Sequence, residues 1–302
     1  GGILTLTDSM QMAWLGFSLL FSIAAMGRFT SAWLLLQMHD PEPRLAKASG
    51  VFKQTFGNFR EAWKDKTFRH YSLFVAGMQC MVAISAPFFA VYMLEELHFT
   101  YFEFVLSSVA SIFTQFITLR FWGRFSDLYG NRLVMIITSC LIPSLPLLWL
   151  FSDNYLYILA IQAFSGLAWS GFTLSTANYL YDIRPFRSDF AIYAALQAAL
   201  SAGFVFVGAM VGGVIASYAA EFLIWTGLNA WLTNPIFLVF MVSTTMRSLV
   251  ALWFIPRSVE PKARPRPQLL TLIFRIRGFN AISGVSLDWL TVAKKKRSKN
   301  KD

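Results

Sequence analysis

The stretch "GRFSDLYGNRLVM" (123–135) holds two arginines, an aspartate and two glycines, yet it lies between two long apolar runs. Such an interruption serves a turn between antiparallel helices, where glycine permits a tight backbone and polar groups satisfy the helix ends. The flanking runs, approximately 101 to 119 and 133 to 151, are each close to the roughly 20 apolar residues that cross a bilayer. The stretch therefore reads as a short connection between two membrane spans.

Composition agrees. Of the 302 residues, 56% are hydrophobic and 14% charged, against roughly 25% charged in an ordinary soluble domain. By length and hydropathy there are seven spans, at about 11–38, 71–94, 101–119, 133–151, 155–181, 190–219 and 235–256. The fold class expected is an all-α integral membrane protein. The first run is too long for a secretory signal, contains Arg28 and follows no basic segment. Cys80 and Cys140 sit inside apolar runs, where a thiol acts as a small hydrophobe, so no disulfide framework is implied. His39, His70 and His98 cluster with no cysteine, and neither a metal nor another cofactor is expected.

Lysines and arginines favour cytoplasmic loops, and here they alternate from one connection to the next. The segment after the first span holds Arg44, Lys47, Lys53, Arg60, Lys64, Lys66 and Arg69, whereas "EELHFT" (95–100) holds none. Arg120, Arg124 and Arg132 follow the third span, "SDN" (152–154) has none, and "DIRPFRSD" (182–189) has Arg184 and Arg187. Residues 220–234 have none, and everything past Arg257 is strongly basic. The quoted stretch and the carboxy terminus are thus expected in the cytoplasm, and the net charge of +10 is expected to face the anionic cytoplasmic leaflet. The tail "AKKKRSKNKD" is read as a surface anchor, with no nucleic-acid partner. Phe52, Phe56, Phe59 and Trp63 recur at helical spacing with Lys53, Arg60 and Lys64 between them, the pattern of an amphipathic helix lying on that surface.

The order Gly123, Phe125, Ser126, Asp127, Gly130, Arg132 resembles the signature loop of the major facilitator superfamily, secondary transporters of two six-helix bundles, in which the motif links the second and third helices of a bundle. Leu128 and Asn131 depart from it, standing where the family often has basic residues. The resemblance implies that Asp127 faces a helix end in the opposite bundle and helps lock one face shut, a carboxylate being favoured near a helix N-terminus. A helix cap on the fourth span is the alternative role for Asp127. Arg132 would pair with it or with lipid phosphate.

An internal comparison supports the same family. "MGRFTSAW" (26–33) and "MRSLVALW" (246–253) share an arginine after methionine, an alanine four residues on and a nearby tryptophan. If the two spans are repeat mates, the unit is six helices, as in parallel duplication. Residues 1–38 then carry the last helix of an amino-terminal bundle, 39–70 a cytoplasmic connector, 71–256 a complete carboxy-terminal bundle and 257–302 a basic tail. Seven helices of an expected twelve are present. The chain opens on Gly1 and Gly2, and the expectation is a sequence truncated ahead of them, whose missing bundle completes a monomeric transporter. A seven-span protein is the alternative.

By the same resemblance the substrate pathway is lined by the second, third, fifth and sixth spans. Its candidate residues are Gln79, Gln115, Gln162, Trp169, Asn178 and Gln197, with Ser85, Ser107, Ser108, Ser111, Thr173 and Ser201 beside them. An amide in lipid is costly without a partner or a wet cavity, so Gln79, Gln162 and Gln197 are expected to face inward. Gly166 and Gly171 in the fifth span, and Gly203, Gly208 and Gly212 in the sixth, are expected at close helix contacts. Pro87, Pro143 and Pro146 predict bends. Arg28 and Arg247 are intramembrane charges on peripheral helices, expected to snorkel or to pair between helices. No Asp, Glu, Lys or Arg stands mid-span along the pathway, so a proton-coupling group would lie in the missing half, or the protein is a uniporter. The function expected is alternating-access transport of a small solute across a bacterial inner membrane. A scaffold or sensor of the same fold is the alternative, and the acidic pair Glu95 and Glu96 lacks the converging groups an enzyme needs.

Overall fold

The computed structural model describes residues 13–37, 60, 62–183, 190–228, 232 and 234–258. Helix α1 spans Ala13–Leu36. Helix α2 spans Lys66–Val91 and continues into a π-helical turn, Tyr92–Glu96. Helix α3 is Tyr101–Tyr129, and the fourth span is split into α4, Asn131–Leu141, and α5, Ser144–Leu148. Helices α6, Tyr155–Ile183, and α7, Phe190–Thr226, follow, and α8, Ile236–Phe254, ends in a 3-10 turn, Ile255–Arg257. Seven of these segments are long and apolar enough to cross a membrane, and no strand occurs among the described residues. The candidate amphipathic residues Phe52, Phe56 and Phe59 and the basic tail lie outside the described residues.

Local chemistry explains the boundaries. Asp65 accepts from the Thr67 N–H at 2.8 Å and starts α2, relieving one of the donors that a helix start leaves unpaired. Thr100 and Glu103 cap α3 reciprocally. Asn154 and Asn234 accept from the N–H groups of Leu156 and Ile236, at 2.9 and 2.8 Å, at the openings of α6 and α8. Pro143 and Pro146 lack N–H donors and break the fourth span into two pieces, whereas α2 continues through Pro87.

The quoted motif differs from the loop expected. Helix α3 runs through Gly123, Asp127 and Leu128 to Tyr129, and the whole turn is Gly130, at φ 94° and ψ 154°, with α4 starting at Asn131. That backbone region is open almost only to glycine, so one residue suffices where a loop was expected.

Aromatic residues fill both ends of the bundle. At the end carrying Lys66 and Arg257, Phe74 stacks on Phe254 at 3.7 Å and Phe68 meets Tyr193 edge-on at 4.6 Å. At the opposite end, Phe89 stacks on Phe240 at 4.5 Å, and the Tyr92 hydroxyl donates to Asp153 at 2.7 Å. Between them, three glycines bring helices to backbone contact, and a fourth, Gly171, lies against side chains. A Cβ on Gly166 would collide with Ser111 O on α3, and one on Gly171 would meet Trp122 and Thr138 at 2.7 Å. A Cβ on Gly208 or Gly212 would collide with Cys80 O or Ile84 O on α2. Gly203, expected in the same role, has nothing within 4 Å of its Cβ position, because it lies on the exposed face of α7. Helix α1 is exposed on every side from Phe21 to Leu36.

Candidate functional site

The expected pathway residues fall on α2, α3, α6 and α7. Gln79, Gln115, Gln162 and Trp169 are half-buried, and Asn178 is exposed. Gln197 is buried on α7, where its Nε2 donates to Ser201 Oγ at 3.0 Å. Among the described residues its Oε1 carbonyl has no donor, and a buried carbonyl in that state is costly. Trp169 leans edge-on against Phe172 at 5.7 Å and so belongs partly to the core.

Several hydroxyls expected beside them are spent elsewhere. Ser107 and Ser108 donate back to Phe104 O, at 2.8 and 3.1 Å. Ser85 accepts from Arg247 Nη2 at 2.6 Å and therefore faces α8. Thr118 on α3 and Ser170 on α6 share a hydrogen bond of 2.7 Å, and Trp122 Nε1 donates across the same contact to Leu167 O at 2.8 Å. The outer faces of α3 and α7 are apolar and open: Phe113, Phe116, Phe206 and Met210 are all more than half exposed.

The motif at the basic end is held by residues that lie far from it in the chain as well as near. Asn131 Nδ2 donates to Asp182 Oδ2 at 2.8 Å, Ser126 donates to Asn131 Oδ1, and Arg132 Nε donates to Ser258 Oγ at 2.8 Å. These bonds join the Gly130 hinge to the ends of α6 and α8, across 51 and 126 residues of sequence. Asp127 lies exposed, in the last turn of α3, and not at the start of the fourth span where a cap would sit.

Arg247 is 2% exposed. Its Nη1 donates to Ile142 O at 3.3 Å, and its Nη2 to Ser85 Oγ and to Val82 O at 3.4 Å. Ile142 O is the carbonyl for which Pro146, four residues on, has no N–H. Ile142 O takes the Leu145 N–H at 3.3 Å instead, so the guanidinium adds a second donor at the helix break, and it pairs between helices where it was also free to snorkel. Arg28, its expected repeat mate, is exposed on α1. Among the described residues, no group of three or more His, Cys, Asp or Glu could hold a metal.

No curated protein matches the chain. The family model for the Major Facilitator Superfamily matches residues 71–293, from the start of α2 to beyond α8. With seven membrane-length helices, a hinged motif between its third and fourth spans and this match, the chain is an integral membrane protein that belongs to the Major Facilitator Superfamily of transporters.

Proposed function

We propose that the chain is the carboxy-terminal half of a secondary transporter that moves a small solute by alternating access. Residues 71–256 form its six-helix bundle, 1–38 contribute the last helix of an amino-terminal bundle, 39–70 connect the two, and 257–302 form a basic tail. The observation that carries this reading is the placement of the polar residues. Gln79, Gln115, Gln162 and Gln197 fall on the helices α2, α3, α6 and α7, and α3 and α7 leave broad apolar faces without a neighbour. In lipid such amides need a wet cavity or a partner, and a second bundle facing α3 and α7 supplies both. The complete protein works as a monomer, since its pathway lies between its own bundles.

The basic ends of the helices face the cytoplasm, and with them the carboxy terminus, because Lys and Arg concentrate there and the anionic leaflet attracts them. A bacterial inner membrane is the setting. Asp127, Gly130 and Arg132 gate this cytoplasmic side, with the exposed Asp127 facing a helix end of the other bundle.

Substituted-cysteine labelling tests the pathway. In a Cys140→Ser background, Gln162→Cys, Asn178→Cys and Gln115→Cys are expected to react in intact membranes with a water-soluble maleimide, whereas Leu252→Cys on the outside of α8 is not. Labelling of Leu252→Cys alone would refute a water-filled path along α3 and α6. Sequencing in frame upstream of Gly1 tests the two-bundle reading, which predicts five further spans.

A further inference from the structure

At the basic end, α2, α6 and the end of α8 enclose a cavity of about 350 Å³. Lys66, His70 and Arg257 stand around it, and Tyr71, Tyr179 and Phe254 line it deeper in. We propose that this cavity binds the phosphate group of an anionic ligand and uses it to fasten the start of α2 to the end of α8.

Charge is the first argument. Two permanent cations and a histidine converge, and among the described residues no carboxylate lines the cavity. The nearby acid, Asp65, has its Oδ1 on the Thr67 N–H at 2.8 Å and serves the helix end. A third cation is one side chain away: Arg132 donates to the cavity-lining Ser258 at 2.8 Å. Like charges gathered without a counter-charge repel one another, and an anion between them removes that cost.

Preorganisation is the second. Trp253 holds Arg257 and His70 in place: the Arg257 guanidinium lies 5.0 Å above its ring with Nη1 donating to Trp253 O at 2.9 Å, and the His70 ring meets Trp253 edge-on at 5.9 Å. That one bond leaves most of the arginine's five donors unengaged by described residues. An arginine fork beside a lysine point charge suits a phosphate, with several acceptor oxygens and more than one negative charge.

Shape is the third. The Tyr71 hydroxyl is spent on Thr176 O at 2.8 Å, so the deep wall offers ring surface more than hydrogen bonds. The volume is at the lower end of small-ligand sites, enough for a phosphate ester and its first carbons but not for a whole lipid. The cavity sits where membrane spans end, at the level of phospholipid headgroups, so a lipid and a soluble phosphate ester share the chemistry that would be recognised here. Through Ser258 and Arg132 either ligand reaches the Gly130 hinge.

The test uses the full chain in nanodiscs, with Lys66→Ala/Arg257→Ala as the variant. Lys64→Ala/Arg124→Ala, both exposed positions outside the cavity, removes the same charge as a control. Thermal stability is read in phosphatidylcholine discs, in discs with added phosphatidylglycerol, and in phosphatidylcholine discs with millimolar inorganic phosphate. Retained lipid is counted by native mass spectrometry. The expected result is stabilisation by phosphatidylglycerol or by inorganic phosphate, with affinity falling about tenfold or more for each cation lost at the cavity and little for the control. A response to phosphatidylglycerol alone assigns a lipid headgroup, and a response to inorganic phosphate assigns a soluble phosphate ester. No response to either probe, or equal losses in variant and control, would overturn the proposal.

Discussion

The contact between α2 and α7 makes a prediction in which one chemical change has opposite signs at two positions of one helix. Gly208→Ala places a methyl against the Cys80 carbonyl group of α2, with the carbonyl carbon 2.9 Å away. Ordinary carbon contacts are about 3.5 to 4.0 Å, so α7 must withdraw by roughly 0.6 to 1 Å. The obstacle is backbone and cannot rotate aside. Overpacking of this kind costs about 1 to 3 kcal/mol, and a rigid backbone obstacle puts it near the upper figure. Replacing a mid-helix glycine by alanine returns about 1 kcal/mol. The net is about 2 kcal/mol of destabilisation, or a fall of about 4 to 8 °C in melting temperature for a bundle of this size. Gly203→Ala meets nothing within 4 Å and keeps only the helix-propensity gain, up to about 1 kcal/mol. A thiol-reactive dye reads the melt, because Cys80 is buried; the exposed Cys140 is first replaced by serine. If Gly203→Ala and Gly208→Ala shift the melt in the same direction, close α2–α7 packing through Gly208 is wrong.

Gly130→Ala is expected to cost about 1 to 3 kcal/mol, since alanine is strained at φ 94° and ψ 154°; an unchanged melting temperature would mean that α3 and α4 join differently. Arg247→Met is expected to cost about 1 to 3 kcal/mol by removing the donor to Ser85 Oγ and one of the two donors to Ile142 O, the other being the Leu145 N–H. Adding Pro146→Ala, which restores an N–H to that carbonyl, should recover part of the loss, and additive costs would show that the arginine does not serve the helix break. Tyr92→Phe removes the hydrogen bond to Asp153 and should lower stability by about 1.5 to 3 kcal/mol, with no effect in an Asp153→Asn background if the charged acceptor carries the bond's worth.

What the sequence disclosed and what it hid divide by range. Spans and caps are local: apolar runs of sufficient length, Asp65, Thr100 with Glu103, and the prolines of the fourth span all stand within a few residues of the feature they set. The role of Arg247 was half legible, because composition shows a charge in lipid but not that Pro146, about a hundred residues earlier, leaves a carbonyl beside it. Gly203 and Gly208 are alike in sequence and differ only in which face of α7 meets α2, which needs the rotation of one helix against another. Motif recognition pointed to a loop because glycine and charge usually signal one, yet helical hydrogen bonding continues to Tyr129 and a single glycine makes the turn. The cavity at the basic end draws on residues from 66 to 258, and no window of sequence contains it.

The close contacts also constrain how such a bundle moves. Helix α3 is held to α6 by the Gly166 contact, the Thr118–Ser170 hydrogen bond and the Trp122 donor, and α2 is held to α7 through Gly208 and Gly212. Because interiors packed at backbone distance resist small sliding, each pair is stiff. Since α3 is helical through the motif, a pull on Asp127 is delivered to α3 as a rigid rod, and through α3 to α6. Asn131 and Asp182 close the same loop of connections at the basic end, so the hinge cannot turn without moving the end of α6 or breaking that bond. The link from this pair to α2 and α7 runs directly by the Tyr71 hydroxyl to Thr176 O at 2.8 Å, and through α8 by Arg132 to Ser258 and by Arg247 to Val82, Ser85 and Ile142. These are hydrogen bonds between side chains, or from a long side chain to carbonyls, and they can exchange partners at far lower cost than a glycine contact can open. The two stiff pairs are therefore joined by exchangeable hydrogen bonds and by aromatic stacking, Phe74 on Phe254 and Phe89 on Phe240, rather than by glycine contacts.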